Sequence, residues 1–271
     1  ERLPMIYELA ETFLGVDPAE APIPVCPAVH YTMGGIGADG HTATTLPGLY
    51  AAGECSSVGI HGANRLGSNS LAELCVFGKV AGEHAARYAR EAKPSDAAAL
   101  TRQAEEIESR ATSLLTSEDG KDRLATIRDE MGATMDDGVG IFREAKGMQA
   151  SCDKVAELKD RFKRVHLDDK TRSFNTEWLT AIELGSSLEV AEAMAWSALS
   201  RKESRGAHMR LDEFGKRDDA KFLQHTLAFH QADGPPKLEY QPVNITRLPP
   251  AERVYGGAAK KAAAAAEGVK A

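Results

Sequence analysis

Residues 59–74, GIHGANRLGSNSLAEL, set a glycine-rich loop directly against an apolar run and place a full positive charge, Arg65, in the loop. Small residues such as Gly62, Ala63, Gly67 and Ser68 leave little bulk around that guanidinium. A half-buried guanidinium is costly unless an anion meets it, and its planar fork matches a carboxylate or phosphate. The loop therefore asks for an anionic partner. Apolar positions at Leu71, Leu74, Val76, Phe77 and Val80 then give a helical pattern from Leu71 to Arg90. The free N–H groups and positive dipole end of that helix point back into the same place. Ser68 or Asn69 as an ordinary N-cap would account for the capping but not for Arg65.

The preceding segment reads as strand and turn. AVHYTMGGI, residues 28–36, mixes aromatic, β-branched and glycine residues as a strand entering a turn does, with His30 ahead of the Gly34-Gly35 pair. DGHTATTLPGLYAAGE, residues 39–54, reads as a turn, a strand, a Pro-Gly turn and a buried strand that ends at Glu54. A carboxylate at the carboxyl end of such a strand is placed to accept hydrogen bonds from sugar hydroxyls. Strand, glycine loop and helix in this order suggest part of an α/β nucleotide-binding domain. Only a part is expected, since a doubly wound sheet needs more strands than this segment supplies.

A different texture begins at Pro94-Ser95. Leu124, Ile127 and Met131 mark one helix, and Met148, Cys152, Val155, Leu158, Phe162 and Val165 form an apolar stripe along another. A third helix is expected over residues 176–200, capped by Asn175 or Thr176. Together they predict an antiparallel helical bundle. From Arg210 the helical signal fades, and the segments around Asp233-Gly234-Pro235-Pro236 predict a small β-hairpin or extended arm. The last residues, an Ala/Lys-rich run, are expected to be disordered or weakly helical.

Composition excludes several classes. With 42% hydrophobic residues among 271, the chain can build a core; a net charge of −7 and a pI near 5.7 argue against a dedicated nucleic-acid binder. Basic clusters such as RFKRVH and RKESRGAHMR lie near acidic residues. No apolar run suits a membrane span, and the first residues lack the pattern of a signal peptide. Cys26, Cys55, Cys75 and Cys152 show no CxxC spacing and read as reduced, mostly structural thiols, with no metal site.

The motifs HYTMGGI, GLYAAGECSSVGIHGANRLGSNSLAELCVFGKVAGE and RKESRGAH together resemble the flavoprotein subunit of the succinate dehydrogenase and fumarate reductase family. ECSSVGIHGANRLGSNSLAEL and ITRLPPAERVYGG look more like the bacterial quinol:fumarate reductase branch; L-aspartate oxidase is a near relative sharing HGANR and SNSL. The resemblance implies FAD as cofactor and a fold of mixed α+β and α/β character. Its parts are a partial Rossmann-like FAD-binding domain over residues 1–90, the helical bundle over 95–209, a small β region over 210–257 and a tail over 258–271. It implies that His30 and Arg65 hold the dicarboxylate over the flavin, and that His30, Tyr31, Glu54, Arg65, Ser70 and Leu71 border FAD. Arg201, Glu203, Ser204, Arg205 and His208 match a basic segment near the flavin domain and the iron–sulfur partner.

The implied reaction is hydride transfer between flavin and fumarate or succinate, with cationic groups polarising the bound dianion. The GxGxxG fingerprint is read as absent, so the phosphate-binding part of the FAD site, the histidine that links FAD and the proton-donating arginine are expected in an amino-terminal portion. No catalytic residue is therefore assigned, and the chain reads as the carboxy-terminal half of a flavoprotein, inactive alone. An iron–sulfur subunit and, indirectly, membrane anchor subunits are the implied partners, at the cytoplasmic face of the membrane. Two other readings stand beside this one: an L-aspartate oxidase-like enzyme, or a non-catalytic assembly module that binds an iron–sulfur subunit.

Overall fold

The computed structural model describes residues 3–26, 28–117 and 120–247. It opens with α1 (Pro4–Leu9), where Pro4 takes the first helical position that needs no N–H partner, and continues as a π turn over Ala10–Leu14. Strand β1 (Ile36–Gly37) then pairs in parallel with β2 (Ser56–Ser57), and one antiparallel bridge joins Ala43 to Tyr50. The longer strands expected in AVHYTMGGI and GLYAAGE do not form. A strand of a doubly wound sheet persists only beside neighbours that take up its backbone groups, and the described residues supply only these short pairings.

GxGxxG spacing, expected to be missing, does occur at Gly35-Ile36-Gly37-Ala38-Asp39-Gly40. It does not open a helix. Asp39 accepts from the N–H groups of His41 and Ala43 at 2.8 and 3.0 Å, turning the chain into the Ala43 bridge. The glycine that matters here is Gly35, at φ 132°: a Cβ there would lie 2.4 Å from the Cys55 carbonyl oxygen, across the β1–β2 pair.

Helix α2 (Asn69–Glu91) forms as expected, but a different face turns inward. Glu73 is buried and Ser70, Phe77, Val80, Ala81 and His84 are half-buried, whereas Leu71, Leu74 and Val76 of the expected stripe are exposed. Helix α3 (Ala97–Thr116) follows, with the Asp96 carboxylate accepting from Ala98 N–H at 3.0 Å.

The bundle proper is α4 (Leu124–Val139), α5 (Ala145–Phe162) and α6 (Thr176–Ser200). β3 (Asp122–Arg123) precedes α4 and pairs in parallel with β5 (Val165–His166), after α5; β4 (Phe142–Arg143) lies between α4 and α5. Val165, read as the last residue of the α5 stripe, thus belongs to a strand, yet it stays in the core. That core joins Leu115, Leu124, Ile127, Leu158, Val165, Leu167, Leu184 and Leu188. Burying each of these side chains contributes about 1.5–3 kcal/mol before conformational entropy is counted. A second cluster packs Val139, Met148 and Cys152 against Ala195 and Ala198. Close approach there depends on Gly138, where a Cβ would meet Ser151 Oγ at 2.0 Å. Cys152 is buried, as expected of a structural cysteine, and Cys26, Cys55 and Cys75 are exposed.

At the start of α6, Asn175 caps as expected. Its Oδ1 accepts from Trp178 N–H at 2.7 Å while its amide donates to the carbonyls of Asp169 and Thr171, each at 2.8 Å. After α6 the chain forms β6 (Met209–Arg210), parallel to β4, and then α7 (Asp219–Phe222). β7 (Gln224–Phe229) and β8 (Lys237–Pro242) make the expected antiparallel hairpin, with Gly234 at φ 82° in the turn between them. The tail reading for 258–271 lies outside the described residues.

Candidate functional site

Four side chains converge on the loop quoted at the outset. Glu73, on the inner face of α2, accepts from the Tyr31 hydroxyl at 2.9 Å and meets His61 Nε2 at 2.7 Å through the same oxygen, Oε2. The Tyr31 and His61 rings stand edge to face, 5.6 Å between centroids and 86° between planes. Arg65 lies over the Tyr31 ring, its guanidinium carbon 4.5 Å from the centroid. Burial first, and then the bond to Glu73, push the Tyr31 hydroxyl up to about 12, so it remains a donor across the physiological range.

Arg65 itself is poorly satisfied. Its Nη1 donates to the Leu66 carbonyl at 3.4 Å, and Nε is buried with no hydrogen-bond partner among the described residues. Guanidinium groups in this position are normally met by an anion. Ser68 adds to the anion-seeking character in a way the sequence did not show: it sits at φ 67° and gives α2 no side-chain cap, so the helix start is not neutralised by a hydroxyl. The ordinary-cap reading therefore does not hold for Ser68, and Asn69 instead donates its side-chain amide to the Leu66 carbonyl at 3.2 Å.

The other residues of interest are distributed around this centre. Glu54 accepts from Thr32 N–H at 2.9 Å, tying the two edges of the β1–β2 unit together. His30, beside Tyr31 in the chain, is exposed. Ser70 and Leu71 occupy the first turn of α2, Ser70 half-buried and Leu71 exposed. Glu73 and His61 were not singled out from the sequence. One signal was available for Glu73: it lies four and seven residues before Phe77 and Val80, and a carboxylate in register with apolar residues on a helix face needs a partner.

Behind the loop stands the 201–210 segment. Ala207 N–H donates to the Ala63 carbonyl at 2.9 Å, and Gly206, at φ 58°, brings its backbone so close that a Cβ would lie 2.5 Å from that same oxygen. The segment is held by fully buried Glu203, whose carboxylate takes Arg201 Nη1 at 2.5 Å, Arg205 Nε at 2.7 Å and the Asp218 N–H at 2.9 Å. Arg205 also pairs with Asp219 at 2.7 Å. His208 is buried between Arg143, whose Nη1 donates to Nδ1 at 2.9 Å, and the Arg201 carbonyl, which accepts from Nε2 at 3.0 Å. Burial, reinforced by the positive charges of Arg143, Arg210 and Arg201, lowers its pKa to about 4. Arg201, Glu203, Arg205 and His208 thus form a satisfied ionic frame on which the loop rests.

Residues 1–71 match the model of a FAD binding domain, and residues 128–255 match the fumarate reductase flavoprotein C-terminal model. The chain is 58% identical to the fumarate reductase flavoprotein subunit of Serratia sp., over 96% of this chain and 43% of that protein. The chain belongs to the fumarate reductase flavoprotein family. The Escherichia coli fumarate reductase flavoprotein subunit is also 58% identical, over 98% of this chain and 44% of its own length. A mutant E. coli quinol fumarate reductase FrdA structure superposes with a TM-score of 0.90 at 58% identity, covering 95% of this chain and 44% of that one. The succinate dehydrogenase flavoprotein subunit of Coxiella burnetii is 40% identical. The chain spans less than half the length of the relatives it matches. Among the described residues, no helix is long and apolar enough to cross a membrane.

Proposed function

We propose that this chain forms the dicarboxylate-binding wall, and part of the FAD-binding wall, of a flavoprotein that interconverts fumarate and succinate. The carrying observation is the half-buried Arg65 guanidinium with an unpartnered Nε, set beside an uncapped helix start. That donor set fits a planar, electron-rich ring edge and a dianion. The exposed Leu71, Leu74 and Val76 offer apolar surface beside it. When bound, FAD supplies the two-electron carrier that exchanges a hydride with the dicarboxylate.

The chain's own residues bind and orient. Arg65 offers a charged fork to one substrate carboxylate. His30, exposed at the edge of the same unit, contributes the second substrate contact. Tyr31, Glu54, Ser70 and Leu71 border the flavin, and the start of α2 favours negative charge on it. The proton donor belongs to another part of the whole protein. The 1–90, 95–209 and 210–257 divisions serve as the FAD-binding portion, the helical bundle and a small β region. An iron–sulfur subunit and, indirectly, membrane anchor subunits are its partners, with the flavoprotein peripheral at the cytoplasmic face. Higher identity to fumarate reductase than to succinate dehydrogenase subunits supports the reductase branch.

The test is Arg65→Lys in the full-length flavoprotein. Lysine keeps the charge but loses the fork, so dicarboxylate affinity and turnover are expected to drop at least about tenfold with flavin content retained. Unchanged malonate binding and turnover would remove Arg65 from the site.

A further inference from the structure

Glu73 is a buried carboxylate on a helix face that leucine or methionine could fill. A buried charge is retained at a cost unless its partners need it, and both of its partners lead to Arg65. The Tyr31 hydroxyl and the His61 imidazole meet on one oxygen, Oε2, at 2.9 and 2.7 Å. The His61 and Tyr31 rings stand edge to face. The face of the Tyr31 ring carries the Arg65 guanidinium at 4.5 Å, and the one hydrogen bond Arg65 makes among the described residues is a long one, to the adjacent Leu66 carbonyl at 3.4 Å. The ring plane of Tyr31 is therefore the main element that orients the guanidinium, and that plane is held at its hydroxyl by Glu73 and braced by the edge-to-face contact with His61.

We infer that Glu73 is a positioning residue, holding Arg65 in a binding-ready orientation through the Tyr31 ring, with His61 as a second strut. This rests on the reading of Arg65 as the dicarboxylate ligand. Without the shared acceptor the phenol is free to turn about its side-chain torsions. Arg65 then loses its platform, and its orientation must be fixed at the moment of binding instead of beforehand.

The experiment measures malonate affinity in the full-length flavoprotein by perturbation of the flavin absorbance at matched flavin content. Glu73→Leu, which fills the space but offers no acceptor, is expected to weaken malonate about tenfold. Glu73→Gln, whose side-chain carbonyl can accept both bonds, should recover affinity to within about threefold of wild type. In an Arg65→Lys background the Glu73→Leu step should cost less than about threefold, because the group it positions is gone. A residue that merely holds the fold would give multiplicative losses in the double variant; that result, or wild-type affinity in Glu73→Leu, overturns the inference. If Glu73→Leu does not accumulate, Tyr31→Phe keeps the ring and removes the donor: weakening of about threefold or more supports the inference, and wild-type affinity overturns it. Weak binding in Arg65→Lys with normal binding in Glu73→Leu would overturn the positioning role alone. Normal binding in Arg65→Lys would overturn the reading of Arg65 and the inference with it.

Discussion

His208 should make the chain lose stability as pH falls from 6.5 toward 4. In the folded state its Nε2–H donates to the Arg201 carbonyl and its Nδ1 accepts from Arg143. A second proton would have to go on Nδ1, facing a guanidinium that is itself a donor. Folded His208 accordingly titrates near 4, against an ordinary value of 6.5. The unfolded chain therefore binds more protons at His208 throughout that window, and stability falls as pH falls. The loss is about 2 kcal/mol by pH 5 and levels off at about 3 kcal/mol below pH 4. The assay is urea unfolding at pH 8, 6.5, 5.5 and 5, comparing wild type with His208→Gln. The variant will be less stable at pH 8, but the quantity of interest is the wild-type-minus-variant difference, in which the other titrating groups cancel. That difference should shrink by about 2 kcal/mol between pH 8 and pH 5. A constant difference would refute the placement of His208 as a buried neutral imidazole between Arg143 and Arg201.

A second acid limb should overlap the lower end of that window and extend below it. The hydrogen bond from Arg161, with help from Lys154, holds Glu130 down to about 2, so its stabilising contribution is present above pH 4.5 and lost as pH falls toward 2; Arg161→Gln should flatten this limb in the same titration. Asn175→Ala removes the α6 cap and two donor bonds, and should cost about 1–2 kcal/mol in urea unfolding; Asn175→Asp, which keeps the cap acceptor, should cost less. Gly206→Ala forces a Cβ against the Ala63 carbonyl at a positive φ. It should destabilise by about 2 kcal/mol and weaken malonate binding in the full-length flavoprotein, because the Arg65 loop rests on that segment.

What could be read from the sequence was what short-range physics controls. The α6 cap at Asn175, the stripe through Met148, Cys152, Val155 and Leu158, and the hairpin around Asp233-Gly234 all depend on residues a few positions apart. Each is present. The strands expected in AVHYTMGGI and GLYAAGE do not form, because their composition suits a sheet whose other strands are not found among the described residues. The inner face of α2 differs from the expected one for a related reason. Leu71, Leu74 and Val76 are as apolar as a core stripe, but the core turned toward Glu73, Phe77 and Val80. Arg65 was legible as a charge in need of an anion, whereas its platform was not.

By itself the sequence determined helices α2, α4, α5 and α6, the Asn175 cap, the hairpin turn, and the family to which the GANRLGSNSL loop and its neighbours belong. Those features are written in local spacing and in residue type. Only the tertiary structure decided that Glu73 gathers Tyr31 and His61, that Arg65 lies on the Tyr31 ring, and that the loop leans on the Arg201–Glu203–Arg205 frame around buried Glu203. Tyr31 and Glu73 are 42 residues apart. Which pairs meet over such a distance depends on the path of the whole chain, and a buried carboxylate shows its purpose only once its partners are in place.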